Sequence, residues 1–91
     1  MPLVSKKLTV KNKSGLHARP AALFVQIANK FDSRITVKRE EDHEEVNGKS
    51  IMGILMLGAE KGSIIVIEAD GDDADAAIIE LEKIIVNEEE A

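Results

Sequence analysis

Alternation between apolar and polar residues predicts the β-strands of this chain. Residues 7–11 and residues 34–38 alternate at every position, as strands with one solvent-facing side do. In residues 63–69, apolar side chains occur at both odd and even positions and therefore on both faces of a strand. This predicts a central strand. Val46 predicts a short additional strand that Asn47-Gly48 closes, and the acidic residues 40–45 before it are typical of a hairpin tip.

Apolar residues recur at three- and four-residue spacing in two further segments, which predicts amphipathic helices. The first helix begins near Ala18, and the last follows the acidic turn 70–73. Between them, Ser50 is the expected N-cap of a short helix that ends at Gly58, and its hydroxyl should accept a hydrogen bond from a second-turn N–H group. The periodic residues of the two long helices are Ala21, Phe24, Ile27, Ala28 and Phe31, and Ala74, Ala77, Ile78, Leu81, Ile84 and Ile85.

The resulting order is βαββαβα, which indicates an α+β fold. We expect an open-faced sandwich with a four-stranded antiparallel sheet and three helices on one face. At 9.9 kDa the chain is expected to form a single domain over residues 1–91, with a core from about residue 5 to residue 86. Residues 87–91 form an acidic tail that should fray.

The charge distribution raises the question of an anionic partner. Residues 1–39 carry nine basic side chains and one acid, whereas residues 40–91 carry three bases and 16 acids. Nucleic acid is excluded as that partner because the chain has no Trp or Tyr and a net charge of −5. Its two aromatic residues, Phe24 and Phe31, fall on the predicted core face, so no platform remains for stacking bases.

Other classes of function are excluded by what the composition lacks. The chain has no cysteine, which excludes disulfides and thiolate metal sites. His43 in the acidic hairpin tip has no second neutral ligand nearby, so we expect no metal site and no cofactor. The apolar runs are too short to span a membrane, and no signal-peptide pattern opens the chain. We therefore expect a cytoplasmic protein.

The segment Gly15–Ala21 carries the most chemical information. Pro20 belongs in the first turn of a helix, which places His17 at the helix N-terminus. The free N–H groups around Ala18 and Pro20 would cradle an anion there, and Arg19 can pair with phosphate oxygens. A partly neutral histidine beside such a cradle is a plausible phosphoryl acceptor. The alternative is that His17 only caps the helix and Arg19 is a solvated charge.

Two motifs resemble those of a known family. Gly15-Leu16-His17-Ala18-Arg19-Pro20-Ala21 resembles the active-site motif of the histidine-containing phosphocarrier family, HPr of the sugar phosphotransferase system. Lys49-Ser50-Ile51-Met52-Gly53, followed by Leu57-Gly58, is similar to the second motif of that family. The resemblance covers residues 5–86 and includes the βαββαβα order.

The resemblance implies a phosphocarrier and not an enzyme. His17 would take a phosphoryl group on Nδ1 from phosphohistidine on enzyme I, which phosphoenolpyruvate charges, and would pass it to sugar-specific enzyme II components. Arg19 matches the arginine that assists transfer, and Pro20 matches the helix-start proline. A regulatory paralogue has glutamine in place of the histidine, and His17 excludes that variant. The chain offers no general base, metal cluster or nucleotide loop of its own.

The second motif implies regulation and docking. Ser50 matches a serine that an HPr kinase/phosphorylase modifies in many bacteria, with transcriptional regulators as further partners. Lys49 and four apolar residues of the short helix match the family's docking surface for partner proteins. Of these apolar residues, we expect Met52 and Leu55 to be the exposed ones. The four residues, called the apolar patch below, are Ile51, Met52, Leu55 and Met56.

An alternative within the same fold is a regulatory carrier of the nitrogen-related phosphotransferase branch. The segment Ile54–Leu57 favours that branch, whereas Ser50 and Ile51-Met52-Gly53 favour the sugar carrier. In either case we expect a monomer without membrane insertion. The early basic residues would steer acidic partner proteins toward the chain.

Overall fold

The computed structural model describes residues 3–88 and has the βαββαβα order that the sequence predicts. The first strand is longer than residues 7–11 predict, because pairing begins at Leu3 opposite Asp70. Hydrogen bonding to a neighbouring strand, and not only side-chain alternation, sets the length of a strand. The elements are β1 (Leu3–Thr9), α1 (Ala18–Ala28), β2 (Arg34–Arg39), β3 (Val46–Asn47), α2 (Ile51–Leu57), β4 (Ile64–Asp70) and α3 (Ala74–Ile85).

The sheet is antiparallel throughout, with the strand order β1-β4-β2-β3. β4 is therefore central, as predicted, but the reason for the prediction is wrong. Ile65 and Ile67 are buried under the helices, whereas Ile64 is exposed on the other side of the sheet. Alternate residues of a strand point to opposite faces, so this strand has one open face although its sequence is apolar on both.

The core lies between the sheet and the three helices. Phe24 of α1 is fully buried, and Phe31 lies beyond the end of α1 and is half-buried against the core. The helix ends at Ala28, with Asn29 as its C-cap. In α3, all six residues of the predicted periodic set are buried, as the helical spacing requires of one face.

The loop after β1 is bound to the end of α3. The side-chain amide of Asn12 is buried and donates hydrogen bonds to the carbonyls of Ile84 (2.8 Å) and Asn87 (3.0 Å). The backbone N–H of Lys11 donates to the carbonyl of Ile85 at 2.9 Å. These donors satisfy carbonyls that a helix end leaves unpaired. Asn87 is therefore held and not frayed, while residues 89–91 of the predicted tail lie outside the described residues.

Opposite charges from the two halves of the sequence lie side by side. Lys6 pairs with Glu82 and Lys7 pairs with Glu40, each at 2.6 Å between nitrogen and oxygen. Surface pairs of this kind contribute little stability, typically about 0–1 kcal/mol. They do show that the basic first half and the acidic second half form one interleaved surface and not two separate regions.

Candidate functional site

The loop that leads to His17 is held by backbone hydrogen bonds. The N–H of Gly15 donates to the carbonyl of Asn12 at 3.0 Å, which closes a turn, and Gly15 has a φ of 77°. The N–H of Leu16 then donates to the carbonyl of Ala59 at 2.8 Å. Leu16 and Ala59 are both fully buried. The loop therefore reaches His17 from a fixed position.

His17 is the N-cap residue of α1. Its backbone is extended, with φ −120° and ψ 164°, and its side chain is exposed. The imidazole accepts no hydrogen bond from the first turn, all of which the structure describes. The first helical bond, from Ala21 N–H to the His17 carbonyl, is long at 3.5 Å. The alternative that His17 serves to cap the helix is therefore not supported by the geometry.

The first turn of α1 presents positive potential to solvent. Ala18 is exposed and has a φ of 43°, the left-handed region that a residue with a Cβ rarely adopts. Arg19 is exposed beside it, and Pro20 is buried and has no N–H group to satisfy. This turn contains no acidic residue. An anion next to His17 would therefore meet the positive end of a helix dipole and a guanidinium group.

Ser50 caps α2, as the sequence predicts, but it reaches a different turn. Its Oγ accepts a hydrogen bond at 3.1 Å from the N–H of Gly53. Gly53 is the third residue of the helix and lies in the first turn, not the second. An N-cap side chain is short, so it reaches only the second or third helical N–H. The helix ends as predicted, at Gly58 in the left-handed conformation with φ 63°.

All four residues of the apolar patch are exposed. The relative exposures are 40% for Ile51, 62% for Met52, 38% for Leu55 and 77% for Met56. Met52 and Leu55 are therefore exposed as expected, but they are not the only exposed members, because Ile51 is exposed too and Met56 is the most exposed of the four. Only Ile54 and Leu57 of this seven-residue helix are buried. They are three positions apart, so they occupy one narrow stripe and leave the rest of the helix outside.

Lys49 binds a helix end instead of extending the apolar patch. Its ammonium group donates to the carbonyl of Phe31 at 2.6 Å, just beyond α1. The side chain of Asn29, the C-cap of α1, donates to the carbonyl of Lys49 at 3.2 Å. The C-terminal end of α1 is therefore attached to the N-terminal end of α2.

The two ends of the apolar patch consequently differ in their distance from His17. Leu55 and Met56 precede Ala59, whose carbonyl binds the loop next to His17. Ser50 lies at the other end, beside the C-terminal end of α1. An 11-residue helix is roughly 16 Å long at about 1.5 Å per residue. Ser50 therefore lies beside the C-terminal end of α1, whereas His17 lies at its N-terminal end.

Two residues of this region, Leu16 and Ala59, were not singled out from the sequence as functional. Their hydrogen bond joins positions 43 residues apart, so no local pattern marks it. The residues before them, Gly15 and Gly58, belong to the two quoted motifs. These glycines were the only sequence feature that could have pointed to Leu16 and Ala59. Both glycines have positive φ, at 77° and 63°.

Other surface features lie away from His17. A depression of about 300 Å³ lies on the open face of the sheet, and His17 does not line it. His43 is exposed in the segment between β2 and β3. Within residues 3–88, no three His, Cys, Asp or Glu side chains are grouped to hold a metal ion. No helix in that range is long and apolar enough to cross a membrane.

Comparison with known proteins agrees with the fold and the motif. The family described as "PTS HPr component phosphorylation site" matches residues 4–87. The HPr-like protein Crh of Halalkalibacterium halodurans is 49% identical over 76 residues, which cover 84% of this chain and 88% of that protein. The crystal structure of phosphocarrier protein HPr from Bacillus anthracis is 46% identical, with a TM-score of 0.86, over 91% of this chain and 96% of that chain.

A further solved structure with the same fold is that of a dimer. It is a crystal structure of an HPr dimer from Thermoanaerobacter tengcongensis, which is 54% identical to this chain. The match covers 86% of this chain and 87% of that chain, with a TM-score of 0.69. The family match spans nearly every described residue, including both motifs. The chain therefore belongs to the HPr family, the phosphocarrier proteins of the phosphotransferase system, which are not enzymes.

Proposed function

We propose that His17 accepts a phosphoryl group from phosphohistidine on enzyme I and passes it to sugar-specific enzyme II components. The observation that carries this proposal is the exposed His17 side chain at an uncapped helix N-terminus whose first turn has Arg19 and no acid. This combination leaves the imidazole accessible to a partner protein. It also places positive charge where a phosphoryl group would rest.

The transfer exchanges one phosphorus–nitrogen bond for another. The lone pair of His17 Nδ1 attacks the phosphorus atom, the new bond forms there, and the bond to the enzyme I histidine breaks. The departing imidazole keeps the electron pair of that bond. Arg19 and the positive end of the α1 dipole stabilise the negative charge on the three phosphoryl oxygens during the exchange. Discharge is a second displacement, in which a nucleophile of an enzyme II component attacks the phosphorus and the His17 imidazole leaves with the electron pair of the broken bond.

Incubation with enzyme I and phosphoenolpyruvate tests this function directly. We expect an acid-labile adduct of one phosphoryl group in the wild-type protein and none in His17→Ala. His43→Ala is the matched control, because it removes the other exposed histidine and should be charged like wild type. Absence of an adduct in wild type, or an adduct that survives His17→Ala, would overturn the assignment.

The apolar patch supports docking of partner proteins. Its two methionines have flexible side chains that adapt to different surfaces, which suits a carrier that meets enzyme I and several enzyme II components. Because Lys6 and Lys7 of β1 are paired with Glu82 and Glu40, the charge of Lys49 and of the basic residues around α1 would steer acidic partners. We infer no binding to nucleic acid, and filter binding at low salt should detect none.

We also propose that the protein is a cytoplasmic monomer, with residues 1–91 forming a single domain. The HPr dimer from Thermoanaerobacter tengcongensis makes the oligomeric state a question for measurement. Light scattering coupled to size exclusion should give a mass near 9.9 kDa. A mass twice as large would show a dimer and contradict the proposed monomer.

Phosphorylation of Ser50 is proposed as regulation at the docking surface. Its Oγ accepts a hydrogen bond at the N-terminus of α2, where added negative charge is favourable. Because Ser50 lies beside the C-terminal end of α1 and His17 at its N-terminal end, modification of Ser50 would act on docking and not on the imidazole itself. An HPr kinase/phosphorylase with ATP should add an acid-stable phosphate to wild type and none to Ser50→Ala.

A second candidate is a regulatory carrier of the nitrogen-related branch. The observation that favours it is the exposure of Leu55 and Met56 in the segment 54–57. Relative charging rates by the two enzyme I paralogues distinguish the branches. Faster charging by the sugar-branch enzyme would support the first candidate, and faster charging by the nitrogen-branch enzyme would support the second.

A further inference from the structure

One backbone contact connects the histidine loop to the segment that follows the apolar patch. The N–H of Leu16 donates to the carbonyl of Ala59 at 2.8 Å. Neither residue is accessible to solvent, since both have 0% relative exposure. Buried backbone groups are nearly always paired, so losing this bond would leave two unsatisfied groups in the core. The contact is therefore a strong constraint on the loop.

Gly15 permits this contact because it has no side chain. A Cβ atom added at Gly15 would lie 2.6 Å from the carbonyl oxygen of Ala59 and 2.9 Å from Cα of Glu60. Both distances are far shorter than ordinary van der Waals contact, and both neighbours are backbone atoms that cannot rotate away. Any other residue at position 15 would therefore push the loop and the 59–60 segment apart.

The loop is also held on its other side. The N–H of Gly62 donates to the carbonyl of Val10 at 2.8 Å, and the N–H of Val10 donates to the carbonyl of Ser63 at the same distance. The turn bond from Gly15 to Asn12 closes the path between these contacts. The two bonds of Val10 extend the pairing of β1 with β4, and Ala or Asn at position 62 keeps the N–H group that one of them uses.

The hydrogen bond between Leu16 and Ala59 links His17 to the apolar patch. Leu16 directly precedes His17, and Ala59 follows Met56 by three residues. We propose that the Leu16–Ala59 hydrogen bond, which Gly15 makes sterically possible, is a positioning contact for phosphoryl transfer. It keeps the His17 imidazole in register with a partner that is docked on α2. The inference rests on the proposed function of His17 and adds the residues that align it.

Displacement of the loop should slow transfer without weakening docking. Misplacement of a reacting group by about 1 Å can cost on the order of 100-fold in rate. The apolar patch belongs to α2 and is not part of the loop, so the KM of enzyme I for the carrier should stay near the wild-type value. A fall in maximal rate at constant KM is a signature that reduced stability alone does not produce in fully folded protein.

Two substitutions at Gly15, each matched at Gly62, test the proposal. Gly15→Ala adds a Cβ and disfavours positive φ, whereas Gly15→Asn adds the Cβ but tolerates positive φ. Gly62 has a φ of 93° and no heavy atom within 4 Å of an added Cβ. Gly62→Ala and Gly62→Asn therefore make the same backbone demands without displacing a neighbour. Charging of His17 by phospho-enzyme I is measured over a range of carrier concentrations up to saturation, which gives both the maximal rate and KM, together with hydrogen exchange of the Leu16 amide.

We expect both Gly15 variants to lower the maximal rate by about 10- to 100-fold, with unchanged KM and faster exchange of the Leu16 amide. The Gly62 variants should behave like wild type. Three results would overturn the proposal: Gly15 variants with wild-type rates, equal slowing in the Gly62 variants, or an increase confined to KM. A wild-type protein that is not charged at all would instead contradict the proposed function.

If the Gly15 variants do not fold, Ala59→Gly provides the second test. This substitution adds no atom and frees the backbone that carries the accepting carbonyl. We expect the maximal rate to fall about threefold, a loss well below that for full misplacement, with KM unchanged. An unchanged maximal rate in Ala59→Gly would overturn the proposal.

Discussion

The N-terminal ends of α1 and α2 have the same backbone arrangement but differ in how they are completed. Each N-cap residue is extended, at φ −120° in His17 and φ −110° in Ser50. Ser50 accepts a hydrogen bond from Gly53, whereas His17 accepts none from the first turn of α1, which the structure describes in full. The N-terminal end of α2 thus has a side-chain cap, while that of α1 has none.

This difference separates stability from function. A good side-chain cap stabilises a helix by about 1 kcal/mol, and α1 lacks that contribution. Ala18 adds a left-handed backbone conformation at φ 43°, the only non-glycine residue with positive φ among residues 3–88. The local rules of helix stability are broken at the N-terminal end of α1, where the proposed phosphoacceptor lies, and followed at that of α2, as expected if the first end has a chemical role.

Removing the positive charge of Arg19 from the uncapped N-terminal end of α1 should slow charging of His17 more than any other change in the first turn. Arg19→Gln is expected to slow charging of His17 by about 100-fold, because a positioned charged donor stabilises the transferred oxygens. Arg34→Gln is the matched control, since Arg34 is an exposed arginine on the open face of the sheet. Steady-state charging by enzyme I measures both. Equal rates for the two variants would show that Arg19 acts only through net charge.

Adding a negative charge to the uncapped N-terminal end of α1 should also slow charging, but by a smaller factor. Ala18→Asp places a carboxylate in the first turn of α1 and should slow charging by about tenfold, since it competes with the phosphoryl group for positive potential. Ala18→Asn has the same shape without the charge and tolerates positive φ equally well. Equal slowing in Ala18→Asn and Ala18→Asp would show that the added side chain, and not its charge, reduces the rate.

Opening the capped end should change stability and leave charging intact. Ser50→Ala removes the acceptor of the Gly53 N–H and should lower the free energy of unfolding by about 1 kcal/mol. Ser50→Asp retains an acceptor and adds favourable charge, so its stability should stay near that of wild type. Urea denaturation measures both variants. A Ser50→Ala protein as stable as wild type would contradict the assigned cap.

The N-terminal end of α3 provides the smallest effect, which appears only in acid. Hydrogen bonds lower the pKa of Asp73, first from the hydroxyl of Ser33 and then from the backbone N–H of Asp32. A lowered pKa in the folded state means that the unfolded state binds more protons between the two pKa values. This contribution is complete above the ordinary pKa of about 3.9. It is lost as the pH falls through the lower folded value.

Unfolding measured between pH 2 and pH 5 tests that linkage. Wild type should lose stability with falling pH more steeply than Asp73→Asn, which cannot titrate. Asp72→Asn is the matched control, because Asp72 is the exposed neighbour of Asp73 and should keep the wild-type slope. A slope unchanged in Asp73→Asn would mean that other carboxylates account for the acid sensitivity.

The elements of the fold could be predicted because their signals are local. The spacing of Ala74, Ile78 and Leu81 identifies one buried face of α3, and a helix repeats that face at every turn. The positions of Ser50 and Gly58 identify both ends of α2, since N-caps and left-handed C-caps depend on single residues. The placement of His17 at the start of α1 follows in the same way from Pro20.

The exposure of the apolar patch could not be predicted in the same way. A seven-residue apolar helix is equally compatible with several buried stripes, and only the contacts of Ile54 and Leu57 select one of them. Met56 is exposed on a side of α2 that is not buried within residues 3–88. The role of Lys49 at the C-terminal end of α1 is likewise decided by the packing of two helices and not by its neighbours in sequence.

The sequence by itself determined the element order, the start of α1, both ends of α2 and the histidine that marks the family, because each depends on residues a few positions apart. Tertiary structure alone decided where α1 ends, that β4 keeps an open face, that Ser50 and His17 lie at opposite ends of α1, and that Leu16 binds Ala59 across 43 residues. The physical reason is the range of the interactions. Helix periodicity and capping act within one or two turns, whereas the contacts that align His17 with the apolar patch exist only after the sheet and helices have packed.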